Sequence, residues 1–151
     1  MRLPIVVVAA LAFGAAAEVR AQTGGAEPPP DTTIVLRSAG SALEFLPARI
    51  SVKNGLRVRV RYTNEGTLPH NLAFARSEDD LDAIAAAAYA AGTTGFVPLE
   101  HKDKLIAWTS LVSPGQTVDV TFVVPPPGEY PFICLFPGHA NMMNGVLRSL
   151  R

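Results

Sequence analysis

Two stretches of strict alternation constrain the fold of this chain most. In "LRVRVRYT", Leu56, Val58, Val60 and Tyr62 face one way while Arg57, Arg59 and Arg61 face the other. In "TVDVTFVV", Val118, Val120, Phe122 and Val124 repeat the device. Side chains alternate with a period of two only along a β-strand, so each stretch predicts a half-buried antiparallel strand with one solvated face. The arginine row is then a solvated strand face rather than a binding patch. Pro114-Gly115 and Pro125-Pro126-Pro127-Gly128 bracket the second stretch with turn signals. Shorter runs of the same kind, "TIVLR", "ARISV", "HNLAFA", "LIAWTS", "YPFIC" and "GVLRSL", add strand candidates. Short strands with turns between them predict an all-β sandwich or Greek-key barrel.

One segment departs from that period. "SEDDLDAIAAAAYAAG" opens with Ser77 as an N-cap, carries acids in its first turn and ends at Gly92, read as the C′ stop. Leu81, Ile84, Ala85 and Ala88 share a face, which predicts one short helix docked on the sandwich.

The two ends read differently. Arg2 followed by the apolar run Leu3 to Ala17, with Val19 and Ala21 as small residues before Gln22, reads as a secretory signal over residues 1–21. The apolar run is short for a membrane span, which needs ~20 residues. Cleavage after Ala21 is expected, with Ala17 as the alternative, and no cysteine lies near either point to carry a lipid anchor. Residues 22–31, "QTGGAEPPPD", form a Gly/Pro-rich linker, and residues 32–151 form one domain. Cleavage would remove Arg2, Arg20 and Glu18 from 13 basic and 13 acidic residues, leaving a formal excess of one acid. A nucleic-acid partner needs a clustered basic excess, so that class is excluded.

The soft ligands are concentrated. "ICLFPGHANMMNG", Ile133 to Gly145, holds the sole cysteine, one of three histidines and two of three methionines. A lone Cys is most often a small buried hydrophobe. An unpaired thiol in an exported protein is nevertheless a liability unless it is buried or occupied. One thiolate, two imidazoles and a weak thioether make a copper site suited to electron transfer. Cys134, His139 and a Met lie on one loop, spaced Cys-x4-His-x3-Met if the Met is Met143. Pro137 stiffens that loop and Gly138 permits its tight turn. The second imidazole would be His70 in "GTLPHNLAF", with Asn71 placed to hydrogen-bond across to the ligand loop. His101, in "LEHKDK", has no spaced partner and reads as a surface histidine, and Trp108 as core or edge packing.

"LPHNLAF" together with "YPFICLFPGHANMMNG" resembles the blue-copper cupredoxins of the azurin, auracyanin and plastocyanin group, over about Ile34 to Leu150. The resemblance implies a Greek-key β-sandwich of about eight strands with an inserted helix and one mononuclear copper at one end. It implies His70, Cys134 and His139 as equatorial ligands and Met143 as the axial one, with Met142 turned outward. It also implies that the backbone N–H groups of Asn71 and Phe136 bond the cysteine sulfur. Leu68, Pro69, Pro137, Ala140 and Met142 would form an apolar docking patch around His139. Where azurin has a glycine before its first ligand histidine, this chain has Pro69, as plastocyanin does, which argues against a fifth ligand. Azurin's disulfide has no counterpart here.

The expected function is therefore that of an exported, periplasmic electron carrier cycling Cu(I)/Cu(II). Its partners would be a cytochrome or a membrane redox complex, and it would act as a monomer without a membrane span. A multicopper enzyme needs further histidine pairs, which three histidines cannot supply. The alternative is a periplasmic copper-binding or delivery protein, which favours an exposed site or Met/His-rich tracts, and the sequence shows neither.

Overall fold

A computed structural model describes residues 27–151. The signal read over 1–21, and the linker as far as Ala26, lie outside the described residues. The chain runs β1 (Thr32–Ser38), β2 (Phe45–Leu46), β3 (Arg49–Lys53), β4 (Arg57–Asn64) and β5 (Ala73–Ala75). Helix α1 (Leu81–Ala88) follows, then β6 (Leu105–Trp108), β7 (Thr117–Val123), β8 (Gly128–Ile133) and β9 (Asn144–Leu150). The strands form two sheets, ordered β2-β1-β4-β7 and β3-β9-β8-β5-β6. This is a β-sandwich with one short helix, nine strands rather than about eight among the described residues.

Both alternating stretches form strands with the expected faces. On β4, Val58, Val60 and Tyr62 are buried while Arg57, Arg59 and Arg61 line the outer face. The pairing is only half as expected. β4 runs antiparallel to β7, yet parallel to β1, with Ile34 opposite Val60 and Leu36 opposite Tyr62. β3 and β9 are likewise parallel. Alternation specifies which face is buried, not which neighbour lies alongside.

Between the sheets lies an aromatic core. Phe45 sits edge-on to Tyr62 and Phe132, with ring centroids 5.7 and 5.5 Å apart. Phe74 packs at 4.9 Å from Phe122 and 5.3 Å from Phe132. Burying each such ring is worth roughly 1.5–3 kcal/mol. Gly145 faces Phe132 across the β8–β9 ladder, and an added Cβ would run into that ring. The glycine is required there by space.

The helix is shorter than its sequence pattern. Ser77 caps a 3₁₀ turn, Glu78–Asp80, by accepting from the Asp79 N–H at 3.2 Å. α1 then buries Ile84 and Ala88 against a second cluster containing Ala73, Val97, Leu105, Ile133 and Leu135. It stops at Ala88 rather than at Gly92, which instead opens a further 3₁₀ turn, Gly92–Thr94. Tyr89 and Ala90 are exposed, so another helical turn would bury nothing. Turning back lets Val97 enter the cluster.

Candidate metal centre

Two polypeptide segments meet at one end of the sandwich. The first leaves β4 at Asn64 and reaches His70, which makes an isolated antiparallel bridge to Val112. The His70 N–H donates to the Val112 carbonyl at 3.1 Å, and the Val112 N–H returns to His70 at 2.7 Å. Just beyond, Leu72 N–H donates to Thr109 Oγ1 at 3.0 Å. The second segment joins β8 to β9. Cys134 N–H donates to the Met143 carbonyl at 2.9 Å, closing the loop at its base. His139 N–H donates to Phe136, and both Met142 and Met143 N–H donate back to His139, all at 2.8–3.0 Å. Gly138, at φ +84°, supplies the left-handed residue that this turn needs.

Asn71 ties the two segments together. Its Oδ1 accepts from the Leu135 N–H at 2.6 Å, and its Nδ2 donates to the Gly95 carbonyl at 2.8 Å. The expected cross-link to the ligand loop is thus present, with a third segment added.

The segments bring three donors to one point. The Nδ1 atoms of His70 and His139 lie 3.2 Å apart, and each is 3.7 Å from Cys134 Sγ. His70, Cys134 and His139 are 1%, 0% and 6% exposed, and the Met143 side chain is buried in the cluster that holds Cys134. Met142, by contrast, is 59% exposed. Among the described residues this is the one cluster of three or more His, Cys, Asp or Glu side chains able to hold a metal. His101 lies apart, in the 3₁₀ segment Leu99–Lys104, and half-buried Trp108 packs against the α1 cluster.

Burial leaves the imidazoles uncharged and their nitrogens available to a metal. Burial lowers the His70 pKa to about 4, aided by His139 close by, and burial also lowers that of His139. Both imidazoles are therefore neutral, the state that coordinates metal. Burial pushes the Cys134 thiol up to about 11, while the backbone N–H groups of Asn71 and Phe136, hydrogen-bonded to its sulfur, pull it down. Two neutral imidazoles of opposite tautomer can bond one another across this gap. A single cation between them satisfies all three donors, and the separations suit bonds of about 2.0–2.3 Å. One thiolate, two imidazoles and a thioether nearby is a donor set that suits copper.

The sequence profile of copper binding proteins of the plastocyanin/azurin family matches residues 32–148. The chain belongs to the plastocyanin/azurin family. Auracyanin-B of Chloroflexus aurantiacus is 34% identical over 113 residues, covering 73% of this chain and 48% of that protein. This chain therefore spans about half the length of that relative. Auracyanin-A of the same organism is 34% identical over 118 residues, covering 76% of this chain and 72% of the relative. The solved auracyanin B structure superposes with a TM-score of 0.77 at 32% identity, covering 83% of this chain and 94% of that one. Reduced auracyanin from Roseiflexus castenholzii gives 0.74 at 30% identity, covering 82% and 100%. A plastocyanin/azurin-family assignment and this donor set together make copper the metal of the centre, one ion for one cluster.

Sequence reasoning missed the supports of the His70 arm, namely Ser38, Asn64, Gly66 and Thr109. The one signal for them was "TNEG", where Asn before Glu-Gly reads as a turn.

Proposed function

We propose that the protein is an exported carrier of single electrons that holds copper through His70, Cys134 and His139, with Met143 as the weak axial donor. The observation that carries this reading is the convergence of three buried donors at 3.2–3.7 Å beside a buried methionine. The bound copper supplies the chemistry by alternating between Cu(II) and Cu(I). The chain's own residues do the rest. Cys134 must give up its proton to coordinate, which its burial opposes and the two N–H donors assist. Those donors also take up part of the thiolate's charge. The surrounding apolar side chains exclude water, and the bonded loops hold the donors in place, so little structure rearranges as the charge changes.

The burial of all three donors favours a carrier over a delivery protein, whose ion must leave readily. Residues 1–21 would direct export, residues 22–31 would act as a linker, and residues 32–151 as the working domain. Among the described residues no helix is long and apolar enough to cross a membrane. Leu68, Pro69, Pro137, Ala140 and Met142 would present an apolar patch to a cytochrome or a membrane redox complex.

Titration of the metal-free protein with Cu(II), followed by visible absorption, tests the reading. An intense blue band is expected, from charge transfer out of a Cys134 thiolate. Cys134→Ser should abolish the band while the far-UV spectrum keeps its β-sheet character. A wild-type protein that stays colourless with Cu(II) overturns the proposal.

A further inference from the structure

We propose that Asn64 is a positioning residue for His70, acting together with Gly66 to aim the imidazole Nδ1 at Cys134. The proposal deepens the copper reading and rests on His70 being a ligand. Asn64 ends β4 and is 0% exposed. Every hydrogen-bonding site of its amide is used. Oδ1 accepts from the Ser38 hydroxyl at 2.8 Å and from the Gly66 N–H at 2.9 Å. Nδ2 donates to the carbonyls of Leu68 and Val112, both at 2.8 Å. The main chain is held as well, through Gln116 at 2.9 Å and Gly115 at 2.7 Å.

The recipients of those bonds matter. Val112 is the residue that exchanges two backbone bonds with His70, and Leu68 lies on the approach to it. One side chain thus grips the chain before His70 and the strand opposite it. The third partner, Gly66, lies against the ring itself. A Cβ added there would sit 3.1 Å from His70 Nε2 and equally close to Asn64 Oδ1 and the Gly40 carbonyl. The bare backbone of Gly66 therefore backs the Nε2 edge of the imidazole while Nδ1 faces Cys134 and His139. A ring held by its own backbone on one side and by this turn on the other cannot swing away. A buried amide with four partners is costly to leave half satisfied, so the turn is rigid.

Three substitutions separate positioning from plain stability. Asn64→Asp keeps both acceptor bonds and removes both donor bonds. Gly66→Ala keeps the Asn64 side chain but crowds its Oδ1 and the His70 ring together. Val58→Ala, at the far end of β4, serves as a purely structural control. Heteronuclear NMR of the imidazoles in the metal-free protein reads ring placement without copper. Competitive Cu(II) titration reads affinity. Asn64→Asp and Gly66→Ala are expected to shift the His70 ring signals more than those of His139. Each should weaken Cu(II) binding about 10–100-fold, the usual effect of losing a partner that orients a metal ligand. Val58→Ala should lower stability while leaving both readouts unchanged. If Asn64→Asp lowers stability but leaves the His70 signals and the affinity at wild-type values, the proposal is overturned. Should Asn64→Asp fail to fold, unchanged His70 signals in Gly66→Ala overturn it equally. A wild type that binds no Cu(II) would sink the copper reading, yet the ring signals would still decide the role of Asn64.

Discussion

The two arms of the metal centre are held by different means. The loop from Cys134 to Met143 is tied by its own backbone, with hydrogen bonds linking Cys134 to Met143, His139 to Phe136, and Met142 and Met143 to His139. His70 has no such local framework. It stands on one isolated bridge, and the side chains that steady its arm come from Asn64, Asn71 and Thr109. Ligands close in sequence can be fixed by turn chemistry alone. A ligand arriving alone needs polar side chains that reach across the fold, and those must be buried to work. The first arrangement spreads its cost over many weak bonds, whereas the second concentrates it in a few amides.

The largest expected effect follows from that concentration. Asn71→Ala removes the acceptor for the Leu135 N–H and the donor to Gly95, leaving a buried N–H unpaired. Urea unfolding of the metal-free protein should show a loss of about 1–3 kcal/mol. The matching change on the loop arm is Gly138→Ala. A Cβ there meets nothing within 4 Å, so only the left-handed backbone is penalised. That should cost about 1 kcal/mol in the same assay. A Gly138→Ala loss exceeding that of Asn71→Ala would invert the comparison.

The same contrast explains what could be read from the sequence. The loop arm was legible because its donors are rare residue types packed into one stretch, with Pro137 and Gly138 marking the turn. The strands were legible because Val58, Val60 and Tyr62 alternate with arginines on one sheet face. Their parallel partners were not, since β1 joins β4 on long-range contacts that no local period encodes. β2 holds only Phe45 and Leu46, too short for any period to show. The helix reached Gly92 on paper because alanines favour helix wherever they stand, but packing beyond Ala88 had nothing to bury. Nothing in the run "TNEG" sets Asn64 apart from an ordinary turn residue. Its burial depends on Ser38 and Val112, which are far away in sequence.

Within the loop arm, two adjacent methionines give a finer test. Met143 is buried beside Cys134, while Met142 points to solvent. Met143→Leu nearly conserves volume, so stability should fall by less than about 1.5 kcal/mol. The blue colour should remain, and the reduction potential measured by voltammetry should rise, because a donor that favours Cu(II) is lost. Met142→Leu should leave the potential nearly unchanged. The reverse pattern would show that the loop offers the other sulfur.

The smallest expected effect concerns the surface where the two arms meet. Leu68, from the His70 arm, is 47% exposed, and Met142, from the loop arm, is 59% exposed. His139 itself is nearly covered, so an electron entering through its ring must come through a partner pressed against that apolar surface. Redox encounters use small interfaces, below roughly 1,200 Å² in total, which a patch of this kind can supply. With 13 basic and 13 acidic residues in the whole chain, long-range steering should be weak. Met142→Lys should therefore slow electron self-exchange, measured by NMR line broadening in mixtures of the two copper states, without altering the visible spectrum. Shortening the Debye length from ~10 Å to ~3 Å with salt should change the wild-type rate only slightly. A steep salt dependence with Met142→Lys silent would move docking to a charged face. The Arg57–Arg59–Arg61 strand is the obvious candidate, but Asp119 already pairs with Arg61 at 2.8 Å and Arg59 at 3.7 Å. That pairing lowers the free charge of the arginine face and favours the proposed apolar patch as the docking surface.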